Sequence, residues 1–228
     1  MSRAALILQH VESAPPGLLA DWLQAHGIPA EVHHSYLDEP WPELDSRPFI
    51  ACLGSDRSPS DRSDPAVADT LDFIAGAVSA DVPVLGLCYG GQVLSHVMGG
   101  EISHAPEPEH GWYTIESDQP ELVPEGPWLQ WHYDRFTLPP GATAVAHSPA
   151  GLQAFVSGPH LGLQFHPEST IEIVREWALA DVQRLAGVSV SDGLERVDRG
   201  ASFTQAARAA AFQLFDAFWD RARSPERR

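Results

Sequence analysis

Two stretches of this 228-residue chain hold side chains suited to covalent chemistry. The first is Val84-Leu85-Gly86-Leu87-Cys88-Tyr89-Gly90-Gly91-Gln92, an apolar run that leads into a glycine-flanked cysteine and then a helix-compatible segment. A nucleophile at a strand–turn–helix elbow sits in a cramped backbone conformation, and its neighbours must be small because side chains there would strike sheet and helix. Such an elbow exposes the sulfur beside a helix N-terminus, where the dipole and free N–H groups favour the thiolate. A cysteine taken at random is more often a small buried hydrophobe, but the glycines at Gly86, Gly90 and Gly91 argue otherwise here. The second stretch is Gly162-Leu163-Gln164-Phe165-His166-Pro167-Glu168. Pro167 pushes His166 into an extended conformation, and positions two apart in an extended chain project to the same side. Glu168 is thereby able to approach the His166 imidazole, orient it and stabilise its protonated form. Nucleophile, base and orienting acid coexist in one chain, the requirement for acyl transfer through a covalent intermediate.

The rest of the composition narrows the chemistry. All 14 basic residues are arginine, and the chain has neither lysine nor asparagine. That removes Schiff-base chemistry, a phosphate-loop lysine, an N-glycosylation acceptor and an Asn-completed triad. A formal charge of −17 disfavours binding to nucleic acid or to an anionic membrane through broad electrostatics. Cys52 and Cys88 are the two cysteines, too few for a disulfide scaffold, so a reducing, cytoplasmic setting is expected. The N-terminal apolar run is too short for a signal peptide, and no run approaches the roughly 18 apolar residues of a membrane span. The scattered histidines lack ligand-like spacing and no G-x-G-x-x-G follows a strand, so neither metal nor cofactor is expected. Cys52, inside an apolar run, reads as a core residue.

These side chains need a scaffold, and the first hundred residues alternate between strand-like and helix-like stretches. Residues 4–8, 30–36, 48–53 and 83–87 read as strands, and 15–26, 64–80 and 90–98 as helices, with Pro65 suited to a first helical turn. This alternation predicts parallel β/α/β units, a sheet covered by helices on both faces. Residues 101–161 instead carry many prolines and short β-like runs at 112–116, 143–147 and 152–156, which predicts an added antiparallel section. A further helix is expected from 170 to about 185. Residues 187–200 read as a linker. Ser202-Phe203-Thr204-Gln205 has the spacing of a capping box, followed by Phe203, Ala207, Ala210, Leu214 and Phe218 at helical spacing. The expected extension, 188–228, is thus a linker and a helix docked on the domain, with a partner or dimer surface as the alternative.

Gly86-Leu87-Cys88-Tyr89-Gly90-Gly91-Gln92 resembles the G-x-C-x-G-x-Q motif of the class I glutamine amidotransferases, and His166-Pro167-Glu168 resembles their H-P-E. The resemblance covers roughly residues 1–185, with the motifs in the family's order and spacing, and implies a glutaminase domain over 1–187. It implies a three-layer, flavodoxin-like α/β fold. It also implies Cys88 as nucleophile, His166 as base and Glu168 as supporting acid. By the same likeness the backbone oxyanion hole falls on Gly54, Ser55 and Tyr89, and Gln92 helps hold the substrate. Trp131-His132-Tyr133-Asp134 is similar to the segment that meets the substrate's amino-acid end, so Trp131, Tyr133 and Asp134 are implied as substrate contacts. The chain departs from the family at Leu53-Gly54-Ser55-Asp56-Arg57-Ser58-Pro59, where a Gly-Gly-Pro type turn is usual. The implied activity is hydrolysis of the γ-amide of glutamine through a Cys88 thioester, with ammonia passed to a separate synthase. A stand-alone hydrolase of a larger γ-glutamyl amide is the alternative. A non-catalytic interaction module is a third reading, which a missing member of the Cys-His-Glu set would favour; none is missing.

Overall fold

The chain is seen as a computed structural model that describes residues 4–182 and 202–224. The expected linker at 187–200 and the boundary at 187/188 lie outside the described residues. In chain order the elements are β1 (Ala5–Gln9), α1 (Gly17–Ala25), β2 (Ala30–His34), β3 (Ile50–Cys52), α2 (Pro65–Ser79), β4 (Val84–Leu87) and α3 (Tyr89–Val97). There follow β5 (Ile102–Tyr113), β6 (Glu116–Ser117), β7 (Trp128–Phe136), β8 (Thr143–Ser148), β9 (Gly151–Ser157), β10 (His160–Leu163), α4 (Ile171–Val182) and α5 (Thr204–Arg223). Asp64 caps α2 by accepting from the Ala66 N–H, with Pro65 in the first turn as its fixed φ suits.

An eight-stranded sheet runs in the order β2-β1-β3-β4-β10-β9-β8-β6. Strands β2, β1, β3, β4 and β10 are mutually parallel, while β9, β8 and β6 continue the sheet antiparallel. The central strands are apolar on both faces, as a sheet covered on both sides demands. Ala5 and Ile7 of β1, with Phe49, Ala51 and Leu53 at β3, face α1 and α5 and pack with Leu19, Trp22, Phe215 and Phe218. Leu6, Leu8, Ile50 and Cys52 face the other way, onto Val67, Leu71 and Ile74 of α2 and Tyr89 and Val93 of α3.

The proline-rich middle contains more strand than its sequence suggests. β5 and β7 form a separate two-stranded antiparallel ribbon whose register shifts between His104 and Glu109. One face of this ribbon packs Leu129, Trp112 and Trp131 against Ile171, Val174 and Ala178 of α4. α5 begins at Thr204 with Phe203 at its N-cap, one residue past the Ser202 to which the capping-box spacing points, and the Phe203 side chain makes no cap bond. Its buried stripe is Ala207, Ala211, Leu214, Phe215 and Phe218, wider than the expected seam and typical of a helix lying on a sheet protein.

Candidate active site

The carboxyl ends of β3, β4 and β10 converge, the place where open α/β sheets leave a crevice. Cys88 follows β4 with φ +51° and ψ −107° and stands at the N-cap of α3. A non-glycine residue in such a conformation stores of order 1–3 kcal/mol and persists only where its surroundings over-determine it. Three glycines supply that constraint by letting backbones touch. A Cβ on Gly90 would strike the Cys52 carbonyl, one on Gly91 the Leu163 carbonyl, and one on Gly86 the Gly90 carbonyl. The first turn of α3 therefore rests directly on β3 and β10. The Cys88 N–H donates to the Leu163 carbonyl at 3.0 Å, fixing the elbow to β10.

His166 and Glu168 leave the end of β10 and are pinned from two sides. The His166 N–H donates to the Leu129 carbonyl of β7 (2.9 Å), and the Leu18 N–H of α1 donates to the Glu168 carbonyl (2.8 Å). Gly17, at φ +42°, allows this second approach, since a Cβ there would strike the Glu168 carbonyl. His166 Nδ1 lies 2.8 Å from Glu168 Oε1, and Cys88 stands beside the same imidazole. His166 is 5% exposed and Glu168 2%, so water screens little of their interaction. Burial is the largest influence on His166 and opposes its charge. The negative partners Cys88 and Glu168 outweigh it, through charge and hydrogen bonds, and push the imidazole up from 6.5 to about 10. Trp177 of α4 covers the ring edge-on, with centroids 4.8 Å apart, and its indole N–H donates to the Ser13 carbonyl.

The other sequence-predicted residues spread around this centre. Gly54 faces the ring, for a Cβ there would lie 2.8 Å from His166 Cε1. Ser55 Oγ accepts from the Arg57 N–H in a tight turn, so this loop is shaped by a side-chain turn rather than by the usual glycine pair. Tyr89 is the first residue of α3, where N–H groups have no acceptor within the helix; its ring packs in the core edge-on to His10. The Trp131 carbonyl lies 3.9 Å from Cys88 Sγ. Gln92 donates to the Asp134 carbonyl at 3.1 Å, joining α3 to β7. The Asp134 carboxylate accepts from the Ser58 hydroxyl (2.6 Å) and meets His104 Nδ1 (3.3 Å), so it ties the β3 loop to the ribbon. Tyr133 lies further out, against His104 and His110.

Sequence reasoning passed over Gln164 and Trp177. Gln164 Nε2 is 3.9 Å from Cys88 Sγ. Its position two residues before His166 in an extended stretch was a usable signal. Trp177 had none, since only the packing of α4 brings it to His166. Cys52 is fully buried beside His10 Nε2 at 3.3 Å, and burial pushes its thiol well above the ordinary range.

The family model for class-I glutamine amidotransferases matches residues 57–180. One subunit of a glutamine-hydrolysing GMP synthase from Ignicoccus hospitalis is 37% identical over 95 residues, 38% of this chain and 50% of that protein. A GMP synthase from Aeropyrum pernix is 30% identical over 181 residues, covering 63% of this chain and 35% of its own length. The chain thus spans half or less of the length of these curated relatives. Among solved structures, a glutamine amidotransferase from Methylobacillus flagellatus superposes with a TM-score of 0.88 at 28% identity, over 97% of this chain and 96% of that one. One from Thermotoga maritima, at 24% identity and a TM-score of 0.81 over 96% of this chain and 99% of that one, shares the fold.

Proposed function

Since the chain belongs to the class-I glutamine amidotransferase family, we propose that it hydrolyses the γ-carboxamide of glutamine through a thioester on Cys88. The observation that carries this reading is the meeting of a strained elbow cysteine with a buried, hydrogen-bonded His166–Glu168 pair. The thiolate is the attacking form of a thiol, and His166 is the base that takes its proton. The sulfur adds to the γ-carbonyl carbon. The oxyanion is met by N–H groups of Tyr89 and of the Gly54–Ser55 turn, donors of a kind whose loss costs on the order of 10²–10³ in kcat. His166 gives its proton to the departing nitrogen, ammonia leaves, and a γ-glutamyl thioester remains. His166 then takes a proton from water as it attacks the thioester, and glutamate is released. Glu168 keeps the ring oriented throughout, while Gln92, Trp131, Tyr133 and Asp134 form the wall for the substrate's amino-acid end.

The ammonia goes to a separate synthase. The likeness to one subunit of a GMP synthase supports this reading. A glutaminase assay with and without co-purifying proteins tests both parts. Wild-type protein should release glutamate, faster when its partner and co-substrate are added, and Cys88→Ala should release none while folding normally. Full turnover by Cys88→Ala would overturn the mechanism. Turnover confined to larger γ-glutamyl amides would replace the synthase-dependent reading by a stand-alone hydrolase.

A further inference from the structure

The β5–β7 ribbon forms its own two-stranded sheet, yet one of its carbonyls stands beside Cys88 Sγ and another receives Gln92. One backbone bond, from the His166 N–H to the Leu129 carbonyl, ties the ribbon to the end of β10, and the ladder of the large sheet does not include the wall itself. Side-chain bonds hold much of the wall in place, and those on the ribbon's inner face converge on one carboxylate. Glu109 of β5 is 6% exposed and lies opposite His132 of β7 in the register. Its Oε2 is 3.0 Å from His132 Nε2 and accepts from Gln153 Nε2 of β9 at 3.0 Å. Its Oε1 accepts from the Ser148 hydroxyl at the end of β8 (3.1 Å). Gln153 Oε1 in turn accepts from Gln130 Nε2 of β7 at 2.7 Å. The other ring nitrogen of His132 lies 3.1 Å from the Asp134 carbonyl, the same oxygen that Gln92 reaches. An unbroken line of hydrogen bonds thus runs from β8 and β9, through Glu109 and His132, to the backbone at Asp134 and on to α3. The Gln153 carbonyl also accepts from the Gln164 N–H, and the Gln164 side chain lies against Cys88 Sγ.

We infer that Glu109 is a positioning residue, the buried anchor that sets the Trp131–Asp134 wall against Cys88 and so determines how tightly the substrate's amino-acid end is held. The inference rests on the proposed reading of that wall as the substrate's seat. Glu109 touches no reacting atom. It acts through His132, and its role is separate from that of His166, because the two imidazoles have different carboxylate partners. A carboxylate is suited to this position because it accepts several donors at once. An amide of the same shape has one acceptor oxygen and brings two donors, so it leaves buried groups facing each other unpaired, which is costly in a low-dielectric interior.

Two electrophiles separate positioning from reactivity in Glu109→Gln: iodoacetamide, and a chloroketone bearing the α-amino-acid end of glutamine. Wild-type protein should be labelled at Cys88 by both, with saturation for the chloroketone. In Glu109→Gln the half-saturating chloroketone concentration should rise at least tenfold, while the iodoacetamide rate stays within twofold. Glutamine turnover should lose kcat/KM chiefly through KM. Ser148→Ala, which removes one donor and leaves the pair in place, should shift the same constant two- to fivefold and guards against a folding defect in the first variant. Unchanged saturation in both variants, or equal loss of labelling by both reagents, overturns the positioning role. Absence of saturable labelling in the wild type overturns the proposed function, and the role assigned to Glu109 falls with it.

Discussion

His166 is a base that burial alone would leave uncharged. Two negative neighbours reverse that outcome and raise it to about 10. Its stabilising contribution is therefore complete below the unfolded-state value of 6.5 and is lost as pH rises through about 10. In Cys88→Ala one of the two negative partners is gone, so the His166 resonance in an imidazole NMR titration should move to a clearly lower midpoint. An unchanged midpoint would mean that Glu168 alone holds the charge. His10 shows the opposite balance. It is buried against Cys52 and Ser35, burial dominates, Arg57 adds to it, and its value falls to about 3. Two histidines just past strand ends of the same sheet thus differ because His166 has a buried carboxylate partner while His10 has neutral groups and a cation.

At the scale of elements, the elbow works because α3 begins where β3, β4 and β10 end. Gly90 and Gly91 let its first turn touch the backbone of both flanking strands. Gly90→Ala should therefore push α3 off β3, destabilising the protein by about 1–3 kcal/mol as overpacking generally does, and lowering glutamine turnover further by displacing Cys88. Urea unfolding together with the activity assay checks both effects. The elbow was readable in advance because a glycine pattern reports backbone contact directly. The antiparallel character of the section that holds β5 and β7 was readable too, but the course of these two strands was not. β7 spans Trp128–Phe136, yet its alternation is masked by polar residues that face inward, where Gln130 and His132 are buried in a hydrogen-bonded network. Binary patterning assumes that polar residues face water, and a satisfied internal network breaks that assumption.

At the scale of the molecule, α5 closes the face of the sheet that carries α1. Phe218 is buried with Phe49 and Phe215, and Trp22 donates to Asp216 across the contact. The last described helix is thus part of the main core. Phe218→Ala should cost about 3–5 kcal/mol, the usual range for a buried aromatic truncation, read as a lower urea midpoint with little change in KM because the site lies at the strand ends. A change confined to KM would instead place α5 in the substrate's path. The acidic balance, −17 overall, suits a basic docking face on any synthase that receives the ammonia.

What the amino-acid sequence determined by itself was local: a strand–cysteine–helix elbow, a His-Pro-Glu strand end, and the alternation that yields a parallel sheet covered on both faces. Each follows from spacing along a few residues, where backbone geometry leaves little choice. Tertiary structure alone decided that Glu109 meets His132 and Gln153, that Trp177 borders His166, and that Asp134 ties the β3 loop to the ribbon. Those contacts join residues 11 to 76 positions apart in the chain, so no local pattern encodes them. They arise where separately folded layers pack and their buried polar groups must find partners.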